Sequence, residues 1–147
     1  METEVLMDES LQVQICKTLW FKSAKMQKQL IEGLSFIHGI GLTEYMLLDT
    51  LLAAPKQTLS RVDLANKVGR TASAITKTLA PMEKIGLVEK EVGARDARVS
   101  LVKITPTGER IHREAYDSLE QNAVSLLQSF STEEHGQLLK LLGKLPA

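Results

Sequence analysis

The sequence of 147 residues predicts a mainly α-helical fold of the α+β class, built around one β-hairpin. Three observations support this prediction. Apolar residues recur at helical spacing near both ends of the chain. Two short amphipathic segments in the middle are each preceded by a capping residue and are separated by a tight turn. Two β-prone runs follow them, joined by a short polar stretch.

The first predicted helix covers residues 11 to about 34, where a stripe of apolar side chains continues at helical spacing. Gly39 and Gly41 interrupt this pattern. A shorter helix is expected over 43–53, and it should end near Pro55. The side chains of this second helix that we expect to face inward are Tyr45, Leu48, Leu51 and Leu52.

The middle of the chain predicts two helices in quick succession. Ser60 is expected to cap the first, with Asp63 completing a motif close to a capping box. Gly69 suits the left-handed position that ends such a helix. Thr71 is expected to cap the next helix, and Gly86 ends it. The apolar stripe of that helix is Ile75, Leu79, Met82 and Ile85, and the first three are expected to face inward.

The pattern then changes from helical to extended. Residues 87–92 and 99–105 are β-prone, and the polar residues between them predict a hairpin. Thr105 followed by Pro106 is typical of a helix start, because proline lacks the N–H that the first helical residue would leave unpaired. A long helix should follow, and its apolar residues are Ile111, Ala115, Leu119, Ala123, Leu126 and Phe130.

Both ends of the chain are amphipathic helices whose apolar faces nothing else in the sequence covers. Ser131 and Glu134 form a capping box for a leucine-dense last helix. Such an exposed face marks an interface, so we expect a homodimer. The predicted domains are a dimerisation helix (1–41), a central unit (42–105) and C-terminal dimerisation helices (106–147). The expected dimerisation residues are Leu11, Ile15, Leu19, Leu126, Phe130, Leu138, Leu142 and Leu145.

Two short helices and a tight turn, followed by a hairpin, are the plan of a winged helix-turn-helix. The polar face of the second helix carries Ser73, Thr76 and Lys77. Small hydroxyls and one cation there suit contact with base edges in a major groove. Pro81 removes a backbone donor and is expected to strain or kink the helix around Lys77.

The predicted hairpin tip adds a second contact to DNA. Arg95 and Arg98 lie there and can reach a minor groove, with Asp96 holding Arg98 by a charge-assisted pair. The net charge is zero, yet residues 60–103 contain nine Lys and Arg against five Asp and Glu. The residues predicted to contact DNA are Arg61, Lys67, Arg70, Thr71, Ser73, Thr76, Lys77, Lys90, Arg95, Asp96 and Arg98. Among them, Arg61, Lys67, Arg70 and Lys90 are expected to contact phosphates.

Three parts of the sequence resemble the multiple-antibiotic-resistance regulator (MarR) family. They are Leu42-Thr43, the run 82–88, and Asp96-Ala97-Arg98 followed by 102–108, where Ile104 replaces the leucine of the family's L-T-x-x-G. The resemblance extends over about 11–145. It implies a homodimeric repressor with interlocking first and last helices, a pseudo-palindromic operator, and a small aromatic or lipophilic effector bound between the dimer helices and the DNA-reading unit.

Cys16 is the one cysteine, which excludes an intrachain disulfide and predicts a cytoplasmic protein. Its place in the first helix resembles the peroxide-sensing branch of the same family. That branch has tyrosines near the thiol, whereas Trp20, Leu30 and Glu44 stand at the matching positions here. A peroxide- or thiol-sensing regulator is therefore an alternative to a ligand-responsive one, and a buried structural cysteine is the simpler interpretation.

Composition and motifs also limit which other classes of protein this sequence could represent. The sequence is 44% hydrophobic and 24% charged, which is typical of a globular protein, and no apolar run has the ~18 residues of a membrane span. His38, His112 and His135 form no paired ligand motif, so we expect no metal, no cofactor and solvated or interface histidines. No nucleophile–base motif predicts an enzyme. A winged helix used only for protein interaction is the second alternative.

Overall fold

The computed structural model describes residues 9–32, 39–92 and 99–146. Its helices outnumber its three short strands, so the predicted mainly α fold is confirmed. In chain order the elements are α1 (Leu11–Ile31), α2 (Leu42–Ala53), a 3-10 turn (Pro55–Gln57), β1 (Thr58–Ser60), α3 (Arg61–Lys67), α4 (Ala72–Lys84), β2 (Val88–Val92), β3 (Ser100–Ile104), α5 (Pro106–Leu126) and α6 (Thr132–Leu142).

The predicted capping residues set the starts of four helices. The side-chain oxygen of each accepts a hydrogen bond from the backbone N–H three residues later, which satisfies a donor that the helix leaves unpaired. The pairs are Ser60 with Asp63, Thr71 with Ala74, Thr105 with Gly108, and Ser131 with Glu134. Glu134 also returns a hydrogen bond to the Ser131 backbone, which completes the capping box.

Helix α4 continues as one element through Pro81. The missing proline N–H leaves the carbonyl of Lys77 without its usual helical donor. Pro81 lies in the last turn, however, and the backbone N–H of Ile85 still bonds to the Pro81 carbonyl at 3.1 Å. The strain predicted around Lys77 therefore does not end the helix, and the half that carries the polar face precedes the proline.

The sheet has three antiparallel strands in the order β1-β3-β2. The hairpin strands β2 and β3 were predicted, whereas β1 was not. Ser60 pairs with Leu101 and Thr58 with Lys103, so β1 closes the outer edge of β3. Because α3 begins directly after β1, this pairing holds the first helix of the helix-turn-helix against the base of the hairpin.

The core lies between α2, α3, α4 and the sheet, with α5 adding Ala115. Leu47 is fully buried although the sequence pattern did not place it inward. Ile75, Leu79 and Met82 are buried as predicted, whereas 63% of the surface of Ile85, the last residue of the apolar stripe, is exposed. Ile85 is the C-cap of α4, because the helix ends at Lys84.

The terminal helices are packed differently. Helix α1 ends at Ile31 rather than near Leu34, and neither α1 nor α6 contains a buried residue. Helix α1 lies against α5, and the Asn122 side-chain amide of α5 donates to the carbonyl of Glu32, the C-cap of α1, at 3.0 Å. No helix within the described ranges is long and apolar enough to cross a membrane.

Candidate nucleic-acid interface

Helix α4 separates an anchored face from a free polar face. Its buried side chains are Ile75, Leu79 and Met82. Ser73, Thr76 and Lys77 are exposed together on the opposite side of its N-terminal half. The apolar anchor thus presents two hydroxyls and one ammonium group to solvent on one rigid helix, as the sequence predicted.

The turn between α3 and α4 is held by backbone hydrogen bonds. Gly69 has a φ of +66°, a left-handed conformation that costs glycine little. This turn lets the Arg70 N–H bond to the Ala65 carbonyl at 3.0 Å. Arg70 is exposed beside the N-terminus of α4, where its charge adds to the partial positive charge of the helix. Thr71 is also exposed, and its hydroxyl oxygen is occupied by the cap.

The end of α4 is fixed to the start of α5. The Thr105 hydroxyl donates to the Gly86 carbonyl, and the Thr105 N–H donates to the Leu87 carbonyl at 3.1 Å. A Cβ on Gly108 would lie 2.2 Å from the same Leu87 oxygen, so only glycine fits there. These contacts explain the T-x-x-G part of the family motif, because its threonine and glycine hold the start of α5 against the end of α4.

The predicted phosphate-binding cations are placed in two ways. Lys67, Arg70 and Lys90 are exposed, and none of them forms an ion pair with another described residue. Arg61 is different, because its side chain is 17% exposed and faces Glu83 and Ser100. The structure therefore groups three of the four cations as free surface charges.

The predicted wing contacts Arg95, Asp96 and Arg98 lie outside the described residues. The strands that carry the wing are described, with Val88 paired to Ile104 and Val92 paired to Ser100. The hairpin base therefore stands on the same side of the core as the C-terminal end of α4, which packs against β2.

His112 forms a contact that the sequence did not predict. Its Nε2 lies 2.9 Å from Asp49 Oδ1, and its ring stacks on Tyr45 with centroids 4.7 Å apart. Burial, and then the nearby Asp49 carboxylate and Tyr116, raise the pKa of Tyr45 to about 12. The solvated role expected for His112 is therefore wrong, since its side chain is largely covered and joins α5 to α2. No local spacing connects residues 49 and 112, so the sequence carried no sign of this pair.

The predicted dimerisation residues are mostly uncovered in the single chain. Leu126 and Leu138 are half-buried, and the other six are exposed, namely Leu11, Ile15, Leu19, Phe130, Leu142 and Leu145. Cys16 lies on the same helix as Leu11, Ile15 and Leu19 and is exposed, so the buried position expected for it is not found in the single chain. Among the described residues, no three His, Cys, Asp or Glu side chains are close enough together to hold a metal ion.

The two short helices, their tight turn and the hairpin define a winged helix-turn-helix protein. The sequence model of the MarR family matches residues 40–100, which extend from the residues before α2 to the first residue of β3. Residues 40–100 therefore match the MarR family, which agrees with the resemblance found in the sequence.

Solved structures share this fold over nearly the full chain. A mutant MarR from E. coli complexed with operator DNA has a TM-score of 0.79 and 24% identity, covering 94% of this chain and 100% of its own. BldR, a transcriptional regulator from Sulfolobus solfataricus, has a TM-score of 0.76 and 26% identity, with coverages of 91% and 96%. Sco3205, a MarR family regulator from Streptomyces coelicolor in complex with DNA, has a TM-score of 0.81 and 20% identity, with both coverages at 95%.

Proposed function

We propose that this protein is a transcriptional repressor, which binds a pseudo-palindromic operator in double-stranded DNA as a homodimer. A small effector releases it from the operator. The observation that carries the proposal is the free polar face of α4, where Ser73, Thr76 and Lys77 are exposed while the opposite face is anchored. A helix held in this way can enter a major groove without losing its own packing. Two of the similar structures are DNA complexes, which supports the same partner here.

In the proposed complex, each α4 enters one of two major grooves about 34 Å apart. Lys77 reads base edges, and the hydroxyls of Ser73 and Thr76 contact bases or phosphates. Lys67, Arg70, Lys90 and the N-terminus of α4 with its cap Thr71 bind phosphates. The wing residues Arg95 and Arg98, with Asp96 holding Arg98, enter the flanking minor grooves.

The homodimer is proposed from the uncovered apolar faces of the terminal helices. On α6, Leu139, Leu141 and Leu142 are exposed, and α1 exposes apolar residues along its length. Burying such faces removes apolar surface from water at roughly 25 cal/mol per Å². We therefore assign residues 1–41 and 106–147 to dimerisation, and residues 42–105 to DNA reading.

The effector proposal rests on the connection between α5 and the DNA-reading unit. Helix α5 joins the dimerisation end of the chain to α2 through His112, Asp49 and Tyr45. A small aromatic or lipophilic molecule bound beside these helices would change DNA affinity only if it binds the DNA-competent form and the released form unequally.

The first test selects an operator from a randomised duplex library and then measures binding to it by fluorescence anisotropy over a range of salt concentrations. Wild-type protein is expected to bind tightly with a steep salt dependence. Lys77→Ala should relax the preference at particular bases, whereas Lys67→Ala should weaken binding to all sequences and lower the salt slope by about 1.8, because the homodimer loses two phosphate contacts.

Lys84→Ala is the matched control, because Lys84 is an exposed cation in the last turn of the same helix. It should leave the base preference unchanged. If no sequence is enriched and binding stays at the non-specific level, the interaction-module alternative replaces this proposal. Repeating the titration after peroxide treatment, with Cys16→Ser alongside, tests the redox alternative.

A further inference from the structure

We infer that Arg61 is a positioning residue, which fixes the recognition helix to the base of the wing rather than contacting DNA phosphates. This inference rests on the proposed function, since it assigns how the two DNA-reading elements keep their relative orientation. Three elements meet at this side chain. Arg61 begins α3, Glu83 lies near the end of α4, and Ser100 begins β3.

The backbone brings Arg61 to this place. Ser60 is the last residue of β1 and pairs with Leu101 of β3. The next residue, Arg61, therefore lies beside the start of β3, which is the strand that returns from the wing. Arg61 and Ser100 are 39 residues apart in sequence, yet β1 pairing makes them neighbours.

The guanidinium group joins two acceptors at once. Its Nε donates to Ser100 Oγ at 3.2 Å, and its Nη2 lies 3.9 Å from Glu83 Oε2. Arginine suits this role because its donors form a rigid planar fork, whereas the ammonium group of lysine is a single point. One side chain thus ties α3, α4 and β3 together.

Exposure separates Arg61 from the cations that we assign to phosphates. Its side chain is 17% exposed and that of Glu83 is 34% exposed, while Lys67, Arg70 and Lys90 are exposed and form no ion pair with a described residue. The Glu83 carboxylate, 3.9 Å away, also offsets part of the charge of Arg61. Because Nε and Nη2 face Ser100 and Glu83, a phosphate would have to reach the remaining N–H groups of a side chain that is only 17% exposed.

The orientation matters because the proposed complex uses two grooves together. The polar face of α4 has to reach a major groove while the wing reaches a minor groove, and both belong to one rigid unit. A small rotation of α4 relative to β3 would therefore weaken both contacts, although neither would be removed. Arg61 and Glu83 oppose that rotation at the end of α4 nearest the hairpin.

The test uses Glu83→Gln, because the two possible roles of Arg61 predict opposite results. Removing an acidic charge from a DNA-binding surface should strengthen DNA binding if only electrostatics acts. If Glu83 holds Arg61 in place, the same substitution should weaken binding to the selected operator by about fivefold, the size expected for a partly buried ion pair. The salt slope should stay that of the wild type.

Glu89→Gln is the matched control, since it makes the same charge change on exposed strand β2 without a contact to Arg61. It should leave affinity unchanged or raise it slightly. Arg61→Lys, which keeps the charge and loses the fork, should weaken binding as Glu83→Gln does. A phosphate contact would instead be largely kept by lysine.

Tighter binding by Glu83→Gln, or a salt slope lowered by about 1.8 in Arg61→Gln, would overturn the positioning role while leaving the proposed function intact. Loss of specific DNA binding in the wild type would overturn both. Amide hydrogen exchange at Ser100 and Leu101 supplies a readout without DNA. Faster exchange in Glu83→Gln than in Glu89→Gln is expected, and equal rates would contradict the proposed link.

Discussion

The DNA-reading unit and the terminal helices bury their apolar side chains to very different extents. The buried core residues all lie between Ile40 and Ala115, and α1 and α6 contribute none. Both regions are rich in apolar residues at helical spacing. The comparison teaches that helical spacing of apolar residues does not by itself place them in the core of a single chain.

The largest expected effect is on the stability of the DNA-reading unit. Leu79 is fully buried on α4, so Leu79→Ala should lower the free energy of unfolding by about 2–5 kcal/mol through lost burial and a cavity. Urea denaturation followed by circular dichroism measures this loss. The loss should be present at every protein concentration, and a loss that disappears at high concentration would place Leu79 in an intersubunit contact instead.

The second-largest effect is expected on dimerisation through the terminal helices. Leu139 on α6 is 75% exposed, so Leu139→Asn should cost the single chain little but should raise the dimer dissociation constant by roughly 100-fold. Sedimentation equilibrium measures that constant. Gln137→Asn, on the same exposed helix, is the control. An unchanged dimer in Leu139→Asn would remove α6 from the proposed interface.

The boundary between the regions is tested at Gly108. A Cβ there would lie 2.2 Å from the Leu87 carbonyl oxygen, so Gly108→Ala should destabilise the chain by about 1–3 kcal/mol through overpacking. Gly136→Ala is the control, because its Cβ would meet nothing within 4 Å and alanine favours a helix by up to about 1 kcal/mol. Thermal unfolding of both variants should therefore shift in opposite directions. A shift in the same direction would contradict a tight joint.

The smallest effect is expected at the capping box of α6. Ser131→Ala removes the oxygen that accepts from the Glu134 N–H at 3.1 Å, which should cost about 1 kcal/mol of helix stability. The Ser131 contacts, mainly its backbone N–H, also lower the pKa of Glu134. Helicity and unfolding measured at low and high protein concentration would show whether dimerisation compensates for the lost cap. Equal losses at both concentrations would indicate that it does not.

Local patterns were sufficient to predict most of the fold. Capping residues such as Thr71 and Ser131 act on backbone groups three residues away, so a short sequence window contains the whole interaction. The glycine turn between α3 and α4 and the alternation of α4 between apolar and polar faces are equally local. For this reason the helix-turn-helix and the exposed set of Ser73, Thr76 and Lys77 could be predicted from the sequence.

What the sequence did not predict depends on contacts between distant residues. Strand β1 has only three residues, too few for a recognisable period, and its pairing with β3 defines it. Leu47 was missed because α2 is covered on several sides, so its burial does not follow one stripe. His112 with Asp49 and Arg61 with Glu83 each join residues far apart in the chain, and therefore no local motif reveals them.

The pairing of β1 with β3 also has a consequence for the order in which the chain folds. Thr58 and Lys103 pair across 45 residues of sequence, and α3, α4 and the hairpin all lie within that loop. The helices and the hairpin require only local contacts, whereas β1 has to wait for a long loop to close, at an entropic cost that grows with loop length. During synthesis on the ribosome, β1 cannot complete its pairing until Lys103 has been added. A nascent chain therefore completes its DNA-reading surface only after nearly all of residues 58–103 have emerged.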